Sequence, residues 1–192
     1  MLVDLDTTLF QQINAFAGRS PALDAAMIAV ARYSPVVCAL ALVALWLTWR
    51  PGNQRTVALA GGSALLALGI GQLIGMAFPR ARPYEALVGA RVLIHHSPDT
   101  SFPSDHAILV FAVAVVVWQI HRSAGAALLA LAIWTSLARV FVGAHYPGDV
   151  LGGALLGTAV AVGVWLLSTR RPFVIALRAL FTVLHRVRIA AE

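Results

Sequence analysis

Five apolar runs, almost free of ionisable residues, occupy residues 25–49, 56–78, 106–120, 124–142 and 150–167. A helix needs about 20 such residues to cross the hydrocarbon core of a bilayer. Lipid offers backbone groups no water, so each segment must satisfy its own hydrogen bonds, and runs of this length do so as helices. Composition agrees: 11% of the 192 residues are charged and 60% are apolar, whereas roughly a quarter of a soluble domain is charged. So few charges cannot cover a water-exposed surface. The third run is short for a span and is expected to begin sunk in the protein. The pattern predicts an all-α integral membrane fold, a bundle of about five to six transmembrane helices, with residues 1–192 as one domain.

The ends differ from the spans. Residues 4–17 are too polar to cross, so residues 1–20 read as an interfacial N-terminal segment closed by the turn from Gly18 to Pro21. Acidic Asp4 and Asp6 stand where a cleavable signal would be basic, so none is expected. The tail, residues 171–192, carries Arg178, Arg186 and Arg188 among apolar residues at helical spacing and reads as a basic helix on the membrane surface.

The formal charge of +6 is all arginine, for the chain has no lysine. Eight arginines (Arg50, Arg55, Arg122, Arg170 and four in the tail) fall on one side of a five-span topology, against six elsewhere. The positive-inside rule makes that side cytoplasmic, with the C-terminus there and the N-terminal segment outside. These arginines punctuate apolar runs and form no basic face, which argues against nucleic acid as a partner. Cys38 lies within a span and, alone, can form no internal disulfide. Gly152, Gly153 and Gly157 read as close helix packing. Oligomeric state is not legible.

Three polar clusters converge on the outer face. Residues 78–83 (FPRARP) close the second span, residues 101–106 (SFPSDH) open the third, and Arg139, His145 and Asp149 bridge the fourth and fifth. Each has an ordinary reading: arginines at a helix end mark topology, Ser-Asp before an apolar run caps it, and a lone interfacial histidine packs. Together they are harder to dismiss, because ionisable groups at a membrane face are costly and usually functional. Guanidinium forks match phosphate oxygens, and the helix start at Ser104 adds N–H donors. One histidine could attack phosphorus while the other protonates the leaving oxygen, with Asp149 holding the nucleophile's second N–H.

These residues resemble the three signature motifs of the type-2 phosphatidic acid phosphatase superfamily. Its Arg, five residues, His, three residues, Asp pattern is matched by Arg139, His145 and Asp149, with Ala138 where a serine is usual. Its Pro-Ser-Gly-His appears as Pro103, Ser104, Asp105 and His106, and its closing Arg-Pro as Arg82 and Pro83. Its lysine position falls on Gly75; either Arg80 replaces that charge or fewer cations hold the phosphate. The resemblance implies His145 as the nucleophile forming a phosphohistidine, Asp149 as its orienting partner and His106 as general acid. Arg82, Arg139 and Ser104 are then the phosphate ligands, with Arg80 and Asp105 as further candidates. It implies no cofactor and no metal.

Residues 96–106 (HSPDTSFPSDH) resemble undecaprenyl pyrophosphate phosphatases of the bacitracin-resistance type. That implies a polyprenyl diphosphate substrate and a bacterial plasma membrane with the site facing outward. His95, His96 and Asp99 either contact a distal phosphate or only order their loop. A phosphatase for phosphatidylglycerophosphate, phosphatidic acid or lipid A phosphate shares every catalytic residue. A small transporter or scramblase needs charge spread through the membrane depth, which is lacking except for Arg32. A Ser-His-Asp hydrolase on Ser104 lacks the GxSxG elbow and leaves the arginines unexplained.

Overall fold

A computed structural model of the chain describes residues 2–94 and 99–170. Among these are seven helices and no strand: α1 (Leu2–Asn14), α2 (Pro21–Trp46), α3 (Pro51–Ala77), α4 (Pro83–Ala86), α5 (Asp105–Ile120), α6 (Arg122–Phe141) and α7 (Pro147–Ser168). The helices α2, α3, α6 and α7 are each long and apolar enough to cross a membrane. The fold is an all-α membrane bundle. Starts are punctuated by proline at the first position of α2, α3, α4 and α7, where its missing N–H costs nothing. The tail expected as a basic surface helix lies outside the described residues, as do His95 and His96.

The short third span is α5, whose 16 residues reach about 24 Å at 1.5 Å per residue, less than a bilayer core. It is not a lipid-facing helix. It sits in the centre, packed by α2, α3, α6 and α7, and Ala107, Ile108, Val110, Ala114, Val116 and Val117 are all fully buried. Its near-continuous apolar sequence therefore reflects burial among four helices, with Leu109, Phe111 and Val115 only partly buried.

Close approach to α5 relies on missing side chains. A Cβ at Gly157 would lie 2.4 Å from the Ile108 carbonyl oxygen, and one at Gly153 would lie 2.6 Å from that of Ser104. The GxxxG spacing is the face by which α7 lies on α5. This contact brings the starts of both helices together, and the Ser104 N–H donates to the Asp149 carbonyl across them at 3.1 Å.

The helix α1 is amphipathic. Its Phe10 is buried against Tyr146 while Leu5 and Leu9 are exposed. Asn14 anchors its end by donating to the carbonyls of Phe141 and Arg91 and accepting from the Arg91 N–H. An interfacial helix was expected here, and the structure adds that its polar residues grip the loops bearing the candidate site.

Candidate active site

Four chain segments meet at this end of the bundle. After α3 the chain turns through residues 80–82, between Pro79 and Pro83, and Arg82 caps α4, its N–H donating to Glu85 at 3.1 Å. The α6–α7 loop turns at Gly143, whose φ of +85° favours glycine. A Cβ there would also strike the Arg91 carbonyl. Tyr146 then caps α7, its N–H donating to Asp149 Oδ2 at 2.8 Å. His145 is held between these two fixed points, 2% exposed.

The hydrogen bonds around His145 define its tautomer. Nε2 lies 3.1 Å from an Arg139 terminal nitrogen and 3.3 Å from one of Arg82. Guanidinium groups only donate, so Nε2 is the bare acceptor. Nδ1 then carries the proton and donates to the Ser101 carbonyl at 2.8 Å. Burial, reinforced by the two arginines and opposed by Asp149, pushes the His145 pKa down to about 4. The ring is neutral at physiological pH, with its lone pair facing two cations.

That lone pair opens on a cavity of about 130 Å³ lined also by His106, Gln72, Asp99 and Asp105. Arg139 is 2% exposed, and its Nε, like the buried Ser104 hydroxyl, bonds no other group among the described residues. Both are donors of the kind a phosphate oxygen accepts; Arg139 lines the cavity, whereas Ser104, between the lining residues Pro103 and Asp105, does not itself line it. Ser104 stands at the start of α5 but makes no side-chain cap bond, so its hydroxyl is not consumed by capping. The cavity thus offers a nucleophilic nitrogen, a second histidine and two guanidinium groups within one enclosure. No group of three His, Cys, Asp or Glu arranged to hold a metal ion occurs among the described residues.

Three details differ from what the sequence suggested. Asp149 does not bond the ring: its Oδ2 is 3.8 Å from Nδ1, because the Ser101 carbonyl takes that proton. Asp149, fully buried, instead accepts from the Ser101 hydroxyl at 2.6 Å, placing the serine that orients the ring. Arg80 does not line the cavity. Its guanidinium lies behind Asp149, donating to it at 2.7 Å and to Asp6 at 2.6 Å. Asp105 does line the cavity, but it is exposed and accepts from Gln72 at 2.9 and 3.1 Å. A carboxylate is an acceptor and cannot serve phosphate oxygens.

Of the two readings for Asp99, the geometry favours ordering, since it accepts from Arg82 Nε at 2.7 Å. This brace leaves another Arg82 nitrogen to bond the Ala144 carbonyl and face His145. The residues the sequence reading passed over are Asp6, Gln72 and, as a positioning group, Ser101. Only Ser101 carried a signal, by its place in the second cluster.

Gly75 is also explained. A Cβ there would lie 2.7 Å from Thr100 Cγ2 and 3.2 Å from the Phe102 carbonyl oxygen. The loop that supplies Ser101 rests directly on the α3 backbone, so no lysine fits without displacing it. Gly75→Ala is expected to cost about 1–3 kcal/mol through overpacking, read as a lower unfolding temperature in detergent.

Residues 56–173 match the PAP2 superfamily. The chain belongs to the PAP2 superfamily. Among its relatives, undecaprenyl-diphosphatase BcrC of Bacillus subtilis (strain 168) is 32% identical over 167 residues, covering 86% of each chain. Putative undecaprenyl-diphosphatase YbjG of Escherichia coli (strain K12) is 36% identical over 159 residues, covering 82% of this chain and 79% of that one. Among solved structures, LpxE of Aquifex aeolicus superposes with a TM-score of 0.71 at 25% identity, over 82% of this chain and 93% of that one. The PAP2 match covers all three polar clusters, but leaves α1 and Asp6 outside it.

Proposed function

We propose that this PAP2 protein is a lipid phosphatase that converts undecaprenyl diphosphate to the monophosphate through a phosphohistidine on His145. The observation that carries the reading is the setting of that ring. It is buried and neutral, fixed through Nδ1, with the Nε2 lone pair aimed between Arg82 and Arg139. In the first step Nε2 attacks the terminal phosphorus. The bond to the bridging oxygen breaks, and His106 protonates that oxygen as undecaprenyl monophosphate leaves. In the second, His106 takes a proton from water, which attacks the phosphohistidine and releases inorganic phosphate. Arg82, Arg139 and the Ser104 hydroxyl hold the equatorial oxygens, where charge spreads in the transition state.

The polyprenyl diphosphate is favoured by relatives at 32–36% identity over most of the chain. The arginine distribution supports a cytoplasmic C-terminus and a site on the outer face of the plasma membrane. The deciding experiment compares phosphate release from undecaprenyl diphosphate and phosphatidylglycerophosphate by purified protein in detergent, with and without chelator. A preference for the glycerolipid would sink the proposed substrate, and loss of activity with chelator would replace the metal-free route. A lipid A phosphate is the second reading, favoured by the 33% identity over 117 residues to lipid A 1-phosphatase of Rhizobium etli.

The depressed His145 pKa has a kinetic consequence. Only the neutral ring attacks, so kcat/KM should hold as pH falls through 6.5, the ordinary histidine value, and decline only towards about 4. An acid limb near 6.5 in the pH–rate profile of the free enzyme would contradict a buried neutral nucleophile.

A further inference from the structure

We propose that Asp6, on the N-terminal helix α1, is a positioning residue for the reaction, acting on His145 through Arg80 and Asp149. The proposal rests on His145 being the nucleophile. Asp6 bridges two structures at once. One oxygen accepts from Arg80 at 2.6 Å, and the other accepts from the Gly148 N–H at 2.7 Å. Arg80 in turn donates to Asp149 Oδ1 at 2.7 Å, its guanidinium lying 4.0 Å from the centre of the Tyr146 ring. Gly148 is the second residue of α7, so Asp6 satisfies one of the N–H groups a helix start leaves without an internal partner. A Cβ at Gly148 would lie 3.0 Å from the Asp6 carboxylate, so glycine lets the carboxylate approach this closely without shifting.

Charge gives the chain of contacts its purpose. Phosphorylation of Nε2 while Nδ1 keeps its proton makes the ring cationic, inside a site that already holds Arg82 and Arg139. Asp149 is the nearest counter-charge, yet Arg80 lies against it, and that pair alone is neutral. Asp6 restores one net negative charge behind the ring. It also holds the far side of the Arg80 fork, so the guanidinium is shared and cannot close wholly onto Asp149. None of the three lines the cavity, so their influence falls on the chemical step and not on substrate binding.

The test uses the full-length protein in nanodiscs with undecaprenyl diphosphate, comparing Asp6→Asn, Asp6→Glu and, on the same helix, Asp4→Asn. Asp6→Asn should lower kcat about tenfold, the order expected for one unit charge acting through a partly buried site. KM should stay within about twofold, because binding groups are untouched. Asp6→Glu should recover most of the rate and Asp4→Asn should match the parent. In parallel, the ¹⁵N resonances of the His145 ring should move in Asp6→Asn and stay put in Asp4→Asn. Parental kcat in Asp6→Asn would overturn the proposal. So would a loss shared by Asp6→Glu with a raised KM, which marks structural damage. If the parent protein hydrolyses no lipid phosphate, the functional reading fails separately. The ring resonances then decide alone, and no shift in Asp6→Asn would refute the coupling.

Discussion

Replacing His145 with alanine is expected to lower lipid phosphate hydrolysis by about 10³-fold or more, the scale seen when a covalent nucleophile is removed. Among the described residues the one other histidine lining the cavity is His106, and moving it to the attacking position would strip the leaving oxygen of its acid. The fold is expected to survive: the ring accepts from Arg139 and Arg82 and makes its one donor bond to the Ser101 carbonyl. Leaving that acceptor buried and unpaired costs about 1–3 kcal/mol, a visible drop in unfolding temperature but not a collapse. Rapid-quench trapping with a ³²P-labelled substrate should show a phosphorylated parent protein and an unlabelled variant. Turnover retained by a folded His145→Ala protein would place the nucleophile elsewhere.

The second large effect is expected at Arg139. Arg139→Ala should reduce kcat/KM by about 10²–10³-fold, comparable to deleting a preorganised donor from an oxyanion site. Its guanidinium is buried, bonds His145 Nε2 with one nitrogen and leaves Nε without another partner among the described residues. Donors in that position face a phosphoryl group exactly where its oxygens gain charge only if the fork is planar and rigid. Arg139→Lys should therefore recover little, since an ammonium supplies the charge without the fork. Steady-state kinetics on both variants decides this, and parental activity in Arg139→Lys would show that charge alone suffices.

Much of the architecture was legible before any coordinates. The apolar runs located α2, α3, α6 and α7 to within a few residues, because lipid imposes a length and a polarity on anything that crosses it. The 16-residue α5 is too short to cross alone, and the structure answers by packing it among four other helices. His145, His106, Arg82 and Arg139 were brought to one face by topology alone, and the structure places all four around one cavity.

The wiring between those residues was not legible. Arg80 and Arg82 are two positions apart and alike in chemistry, yet one lines the cavity and the other lies behind Asp149. Asp149, four residues from His145 at the start of a helix, was the natural partner for its ring. The cap bond to Tyr146 and the Ser101 hydroxyl claim that carboxylate instead. Asp6 and Asp149 are far apart in the chain, and no periodicity connects them.

Sequence by itself determined the solvent, the place and order of the long apolar helices, and which end of the bundle gathers the polar groups. These follow from segment-long properties, hydrophobic length and charge placement, which every residue in a run helps to set. Tertiary structure alone decided which nitrogen of His145 is free, which arginine faces it, why Gly75 excludes a lysine, and that α1 reaches the back of the site. Those outcomes turn on hydrogen bonds whose strength falls away within a few tenths of an ångström, a precision that exists only once the helices have packed.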